Sequence, residues 1–305
     1  MKIIFAGSPQ FAVKPLEKLL NSDVAEIVAV ITQPDKPVGR KKILTPTPVK
    51  QFALEHGLTV YDFIKIRDHV AELKAIGADV MITCAYGQIL TQEVLDCFHK
   101  GVWNLHASLL PKFRGASPIQ SAILAGELHT GVTVMKTELA LDSGDIMLVK
   151  RCEIGAKTCG ELCEELSALA AEGVAEAVEY LTSGDVQLLM QDESRATYCK
   201  KIQKSDCKID FSKPAEEVLR AVKAFSPQPA AFCNLNGSPL NILNAELAEG
   251  YGKSGEVLAA DKLGITVACG KSAICITFLQ PAGGKSMPAR DFVNGRKIKV
   301  GDILD

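Results

Sequence analysis

The sequence predicts an α/β chain, with a doubly wound, mostly parallel sheet first and a small β-barrel after it. Three observations carry this. From Ile3 to His106, short apolar runs alternate with amphipathic stretches of helical length, the pattern of βαβ units and hence of a parallel sheet. Beyond about residue 206 the apolar runs become short and closely spaced, with turn signals such as Asn236-Gly237 between them, which is the pattern of a barrel. A length of 305 residues is also more than one core usually serves. The expected division is a sheet domain over residues 1–188, a linker over 189–205 and a barrel domain over 206–305.

Taken in order, Ile3 to Ala6 reads as a buried strand, and Gly7-Ser8-Pro9 turns it into a helix through Phe11, Leu16 and Leu19. The full G-x-G-x-x-G fingerprint is absent, so a dinucleotide is not implied. Ile27 to Ile31 is a second strand. Pro34 to Lys42 then holds two prolines, a glycine and four cations, Lys36, Arg40, Lys41 and Lys42. It reads as an exposed loop, either a solvated connection or an arm that grips phosphates. Pro46 and Pro48 lead into a helix, and Leu58 to Tyr61 is a third strand. A helix ending near Gly77, a strand from Asp79 to Cys84 and a helix through Val94 and Leu95 follow. After the strand that starts at Val102, Ile119 to Leu124 is a helix. Gly131 to Met135 and Ile146 to Val149 are strands joined through the acidic turn Leu141 to Asp145, the second antiparallel to its neighbour. Thr158 and Glu161 form a capping box for a long helix ended by Ser183-Gly184. The stretch from Leu188 to about Asp206 has weak periodicity and reads as a linker. Strands at 231–235, 240–243, 255–259, 265–268 and 274–279 make the barrel, and the residues from Gly301 onward read as an ordinary terminus.

The organising stretch is Val102 to Pro118. Asn104 and His106 are two residues apart, so on a strand they share a face. Polar side chains at the carboxyl end of a buried strand stand where open α/β sheets bind ligands. An Asn amide can donate to an oxyanion as a trigonal carbon becomes tetrahedral. A His can move a proton near neutrality, and Asp142 can orient it. No Ser or Cys is clearly placed as a nucleophile, so direct attack of a substrate amine on a carbonyl carbon suits the set better than a covalent intermediate. Residue types and spacing alone reach group transfer or hydrolysis at a carbonyl.

Composition narrows the field. Hydrophobic residues make up 47%, which excludes a mainly disordered chain. The net charge is -2, and residues 206–305 hold 12 Lys and Arg against 11 Asp and Glu, so net charge alone does not mark a nucleic-acid binder. Ten cysteines without a C-x-x-C, and Cys159 and Cys163 without a His cluster, lead us to expect no metal. No signal peptide and no apolar run of membrane-spanning length are present, so a cytoplasmic protein with no membrane partner is expected.

Asn104-Leu105-His106-Ala107-Ser108-Leu109-Leu110-Pro111, Arg114-Gly115-Ala116-Ser117-Pro118 and Leu141-Asp142-Ser143-Gly144-Asp145 together resemble the N10-formyltetrahydrofolate-dependent formyltransferases. The likeness spans nearly the whole chain. It includes Phe5 to Ala12, Gln33 to Arg40, Ala85-Tyr86-Gly87, Asp192-Glu193, Tyr198, Lys201-Ile202 and Leu279 to Lys285. Within the family the basic loop, the linker and the barrel resemble the tRNA-directed branch. The resemblance implies a Rossmann-like catalytic domain and an OB-fold-like barrel that contacts tRNA. It implies N10-formyltetrahydrofolate as co-substrate, held by Ser108, Leu109, Leu110 and Pro111 with Tyr86 and Gly87. The implied acceptor is the amino group of methionine on initiator tRNA, with Lys36, Arg40, Lys41 and Lys42 against the acceptor stem. Asn104 would hold the formyl oxygen, His106 would assist proton movement, and Asp142 would support His106. A monomer is expected. The alternatives are a formyltransferase for a small amine, such as glycinamide ribonucleotide or an amino-sugar nucleotide, a folate hydrolase and a non-catalytic RNA-binding relative.

Overall fold

A computed structural model describes residues 1–39 and 41–305, so Arg40 lies outside the described residues. Two compact units divide the chain. The first holds residues 1–118, 129–153 and 163–200, and the second holds 119–128, 154–162 and 201–305.

In the first unit, β1 (Lys2–Gly7), α1 (Val13–Leu20) and β2 (Glu26–Ile31) form a βαβ unit. Next come β3 (Lys36–Val38), β4 (Ile43–Thr45), α2 (Pro48–Glu55) and β5 (Val60–Tyr61). Then α3 (Val70–Ile76), β6 (Val80–Cys84), α4 (Gln92–Leu95) and β7 (Val102–His106) follow. Short β8 (Arg114–Gly115) and α5 (Pro118–Leu124), which belongs to the second unit from Ile119 onward, lead to β9 (His129–Lys136) and β10 (Ile146–Glu153). The long α6 (Cys159–Ser183) precedes β11 (Tyr198–Cys199).

Seven strands make one sheet in the order β10-β9-β7-β6-β1-β2-β5. The five from β7 to β5 are parallel, and β9 and β10 add antiparallel at one edge. From β1 the chain winds outward to β5 and then returns to build β6 and β7 on the other side. Such a reversal opens a crevice at the carboxyl ends of the strands. The continuous apolar runs follow from burial on both faces: every residue of β6 is buried, and β7 is buried but for Asn104.

Several stretches of the first unit differ from their expected form. The Pro34 to Lys42 loop belongs to a hairpin in which β3 pairs antiparallel with β4, Lys36 opposite Thr45 and Val38 opposite Ile43. Its strands are three residues long and wholly exposed, too short for an alternating pattern to show in sequence. Lys50 pins its root, donating to Asp35 at 2.7 Å and Asp62 at 2.8 Å. These bonds, Asp35 first, hold the Lys50 amine above its ordinary range. The third strand is shorter than expected, only Val60–Tyr61. The linker stretch is ordered from Leu189 onward: Leu189 bridges to Ile146, and β11 pairs parallel with β8.

The second unit carries α7 (Ala215–Phe225), β12 (Ala231–Leu235), β13 (Ser238–Ala248), β14 (Val257–Ala260), β15 (Ile265–Ala268), β16 (Ala273–Pro281), β17 (Met287–Pro288) and α8 (Ala289–Asn294). Its antiparallel sheet runs β12-β13-β16-β15-β14, with β17 on β16. The C-terminal residues, expected to be an ordinary terminus, join its two edges. Leu304 bridges to Leu235 at the end of β12, and Ile303 bridges to Glu256 just before β14. The Asn234 amide donates to the Asp305 carbonyl at 2.7 Å, and the Leu304 amide donates to the Gly255 carbonyl at 2.8 Å. Gly255 has φ +83°, and a Cβ there would lie 2.1 Å from the Leu304 carbonyl oxygen, so only glycine permits the approach. Unpaired edges are thereby covered. Leu304 is buried, so Leu304→Ala should destabilise this unit by about 3 kcal/mol. Urea unfolding measures it, and an unchanged midpoint would show that the tail does not seal the sheet.

Candidate active site

The site forms where β7 ends. In register, Asn104 stands beside Thr83 of β6, and His106 beside Thr133 of β9. Both threonines serve the site. Thr83 Oγ1 donates to Asn104 Oδ1 at 2.9 Å. The amide oxygen is thus engaged and the amide nitrogen is turned outward as a donor. Thr133 Oγ1 donates to the Ser108 carbonyl at 2.7 Å and accepts from the Leu110 amide at 3.2 Å, which fixes the turn after β7.

His106 is 5% exposed. Its Nε2 lies 2.9 Å from the Phe113 carbonyl. A carbonyl only accepts, so Nε2 carries a proton. Nδ1 faces Asp142 Oδ2 at 3.6 Å, an ion-pair distance longer than a hydrogen bond. The same Oδ2 accepts from the Gly115 amide at 2.8 Å. Phe113 and Asp142 both adopt left-handed backbone, with φ +61° and +47°. Two such non-glycine residues around one imidazole are the kind of strain that concentrates at functional sites. Asp142, 36 residues further along the chain, thus stands against His106, with Asn104 two residues before His106 on β7.

The other predicted positions divide. Ser108 is fully buried and donates its hydroxyl to the Lys112 carbonyl at 2.7 Å, so it shapes the turn. Leu110 is buried against Met135 and Ile146, while Leu109 and Pro111 are half-buried. The Tyr86 ring lies in the core with Ile4, Phe63 and Leu90. Burial pushes its phenol up, and its hydroxyl is buried without a hydrogen-bond partner. Its carbonyl accepts from Gln33 Nε2 at 3.1 Å, and Gly87 beside it is exposed. Lys36, Lys41 and Lys42 are exposed on the hairpin, and Lys36 Nζ donates to Gln33 at 3.5 Å. Among the described residues no group of three or more His, Cys, Asp and Glu could hold a metal ion. No described helix is long and apolar enough to cross a membrane.

Arg114, Glu193 and Tyr198, which the sequence offered only within the family likeness, form one network with Gln191, which it did not mark. Arg114 is 1% exposed, and its guanidinium bonds Gln191, Glu193 and Tyr198. The bond to Arg114 holds the Glu193 carboxyl below its usual range. The Phe113 amide donates to Thr197 Oγ1 at 2.8 Å, and Cys199 Sγ lies 3.4 Å from the carbonyl that holds His106. An arginine in a motif without an acidic residue was the one signal that a buried counter-charge must come from elsewhere in the chain.

Known proteins share this architecture. Residues 1–178 match the formyl transferase family, and residues 201–297 match the formyl transferase C-terminal domain. The chain is 46% identical over 309 residues to the methionyl-tRNA formyltransferase of Pseudomonas fluorescens, with 100% of this chain and 97% of that one covered. Among solved structures it is similar to WlaRD, a sugar 3N-formyl transferase, with TM-score 0.68 and 20% identity over 93% of this chain and 99% of the other. It is likewise similar to HypX from Aquifex aeolicus in complex with tetrahydrofolic acid, with TM-score 0.67 and 20% identity over 98% of this chain. It spans about half of that protein, 48% of its length. With two family models matched in series and a full-length relative at that identity, the chain belongs to the formyl transferase family.

Proposed function

We propose that this protein transfers a formyl group from N10-formyltetrahydrofolate to the free amino group of methionyl initiator tRNA. The observation that carries the reading is the set at the end of β7: a free amide donor on Asn104, and a buried imidazole whose Nδ1 faces a carboxylate. Full-length similarity to a methionyl-tRNA formyltransferase supports the choice of donor and acceptor.

Each residue has a physical role in this reading. The Asn104 amide nitrogen donates to the formyl oxygen, and the bond strengthens as the carbon becomes tetrahedral. One such donor is worth about 3 kcal/mol. His106 takes the proton of the attacking amine at Nδ1, because Nε2 is committed to the Phe113 carbonyl. A proton held at Nδ1 sits opposite the Asp142 carboxylate. Asp142 then helps return a proton to the departing folate nitrogen. Leu109, Pro111 and the exposed backbone at Gly87 supply the folate surface. Ser108, Leu110 and Tyr86, which are buried, shape it from inside. Residues 1–188 carry the reaction, and residues 206–305 contact the tRNA through their closed antiparallel sheet.

The β3–β4 hairpin is assigned to the acceptor stem. It presents Lys41 and Lys42 beside exposed Val38, Ile43 and Leu44, a mixed cationic and apolar tip on a root pinned by Lys50. Replacing Lys41 and Lys42 together with Ala should lower the salt slope of tRNA binding by about 2, since each lysine neutralises one phosphate. An unchanged slope would make the hairpin a connection only.

The assay for the function itself offers N10-formyltetrahydrofolate with methionyl initiator tRNA, glycinamide ribonucleotide or an amino-sugar nucleotide in separate reactions. Formyl product on the tRNA alone is expected. Product on a small amine alone, or release of formate without acceptor, would contradict the reading.

A further inference from the structure

Asp142 is held by more than its contact with His106. Its Oδ2 is fixed by the Gly115 amide, and its own backbone sits at φ +47°. Its carbonyl accepts from Gln191 Nε2 at 2.9 Å, and the Gly144 carbonyl two residues on accepts from the same nitrogen at 2.8 Å. One side-chain amide therefore spans the turn that aims the carboxylate.

The orientation of that amide is forced. Gln191 Oε1 lies 3.2 Å from Arg114 Nε and 2.9 Å from Nη2. A guanidinium only donates, so the oxygen must face Arg114 and the nitrogen must face the two carbonyls. Arg114 is in turn saturated: Nη1 donates to Glu193 at 2.9 Å and to the Tyr198 hydroxyl at 3.3 Å, and Nη2 donates to Glu193 at 2.6 Å. All five guanidinium protons and all four amide hydrogen-bonding positions of Gln191 have partners. In a buried place such a network has one arrangement, and a single wrong atom type breaks it.

We propose that Gln191, oriented by Arg114, is a positioning residue for Asp142. It holds the turn from Asp142 to Gly144 in the left-handed conformation that points the carboxylate at His106 Nδ1. The inference rests on the reading of Asp142 as a member of the formyl-transfer set. Gln191 touches neither His106 nor Asn104, so its effect on the reaction passes through Asp142.

The test compares the full chain with Gln191→Glu, Asp142→Asn and the double variant. Glu keeps the acceptor for Arg114 and replaces the donor with an oxygen facing two carbonyls. Steady-state transfer to methionyl initiator tRNA gives kcat and KM, and thermal melting checks the fold. Gln191→Glu should lower kcat ~10–100-fold by misplacing the carboxylate, with KM for both substrates within about threefold of wild type. In the Asp142→Asn background the same change should cost less than about threefold more, because both act on one group. If Gln191→Glu melts below the assay temperature, Gln191→Met takes its place with the same expectations. A wild-type kcat for the Gln191 variant beside an impaired Asp142→Asn overturns the inference alone, as do losses that multiply in the double variant. A wild-type kcat for Asp142→Asn overturns the reading of Asp142 and the inference with it.

Discussion

A buried imidazole needs a partner at each ring nitrogen, and much of the first unit is arranged to supply them to His106. The central sheet cannot do so itself, since its backbone groups are spent on the ladder. The Phe113 carbonyl takes Nε2, which requires the chain to double back in a left-handed step after the turn from Ser108 to Lys112. That step is then fixed from outside. The Phe113 amide bonds Thr197, the Arg114 amide bonds the Thr197 carbonyl, and the Ala116 amide bonds the Cys199 carbonyl. The strap from Gln191 to Lys200 is thus part of the framework around His106 as well as a connection.

Nδ1 is served differently. Asp142 arrives on the turn between β9 and β10, the antiparallel pair at the sheet edge. In register Lys136, where β9 ends, stands opposite Trp103, so this turn starts beside the amino end of β7 and its Asp142 reaches back along the strand to His106. The strand-to-strand register then places Thr133 against the turn after β7 and Thr83 against Asn104. Three neighbouring strands therefore contribute four polar side chains at two levels, with Thr83 bonding the Asn104 amide oxygen and Thr133, beside His106, bonding the turn after β7.

Some of this was legible in the sequence and some was not. Asn104 and His106 showed themselves because period-two spacing puts both on one face of a strand that is otherwise apolar. Asp142 showed itself through the tight Leu141 to Asp145 turn and the family motif. Glu193 and Tyr198 showed themselves only as part of the family likeness and Gln191 not at all, because their work is to satisfy one buried guanidinium, and a run of polar residues reads equally well as a solvated linker. The β3–β4 hairpin hid behind two prolines, and its strands are too short to alternate. Tyr86, named through the family motif, has its ring packed in the core, which a motif does not disclose. Ile303 and Leu304 passed as a plain terminus since two apolar residues carry no period. For Gln191 and for the Ile303–Leu304 tail the missing information was the identity of a partner far along the chain, which local patterning does not encode.

The central claim is that Nδ1 of His106 is the nitrogen that exchanges protons, with Nε2 committed to the Phe113 carbonyl. Long-range 15N–1H spectra of the five ring systems, with His106→Gln to assign the resonances, report this directly. The account predicts that the neutral His106 ring carries its proton on Nε2 and that Asp142→Asn changes the Nδ1 shift more than the Nε2 shift. A neutral ring protonated on Nδ1, or an Nδ1 resonance indifferent to Asp142→Asn, would contradict it.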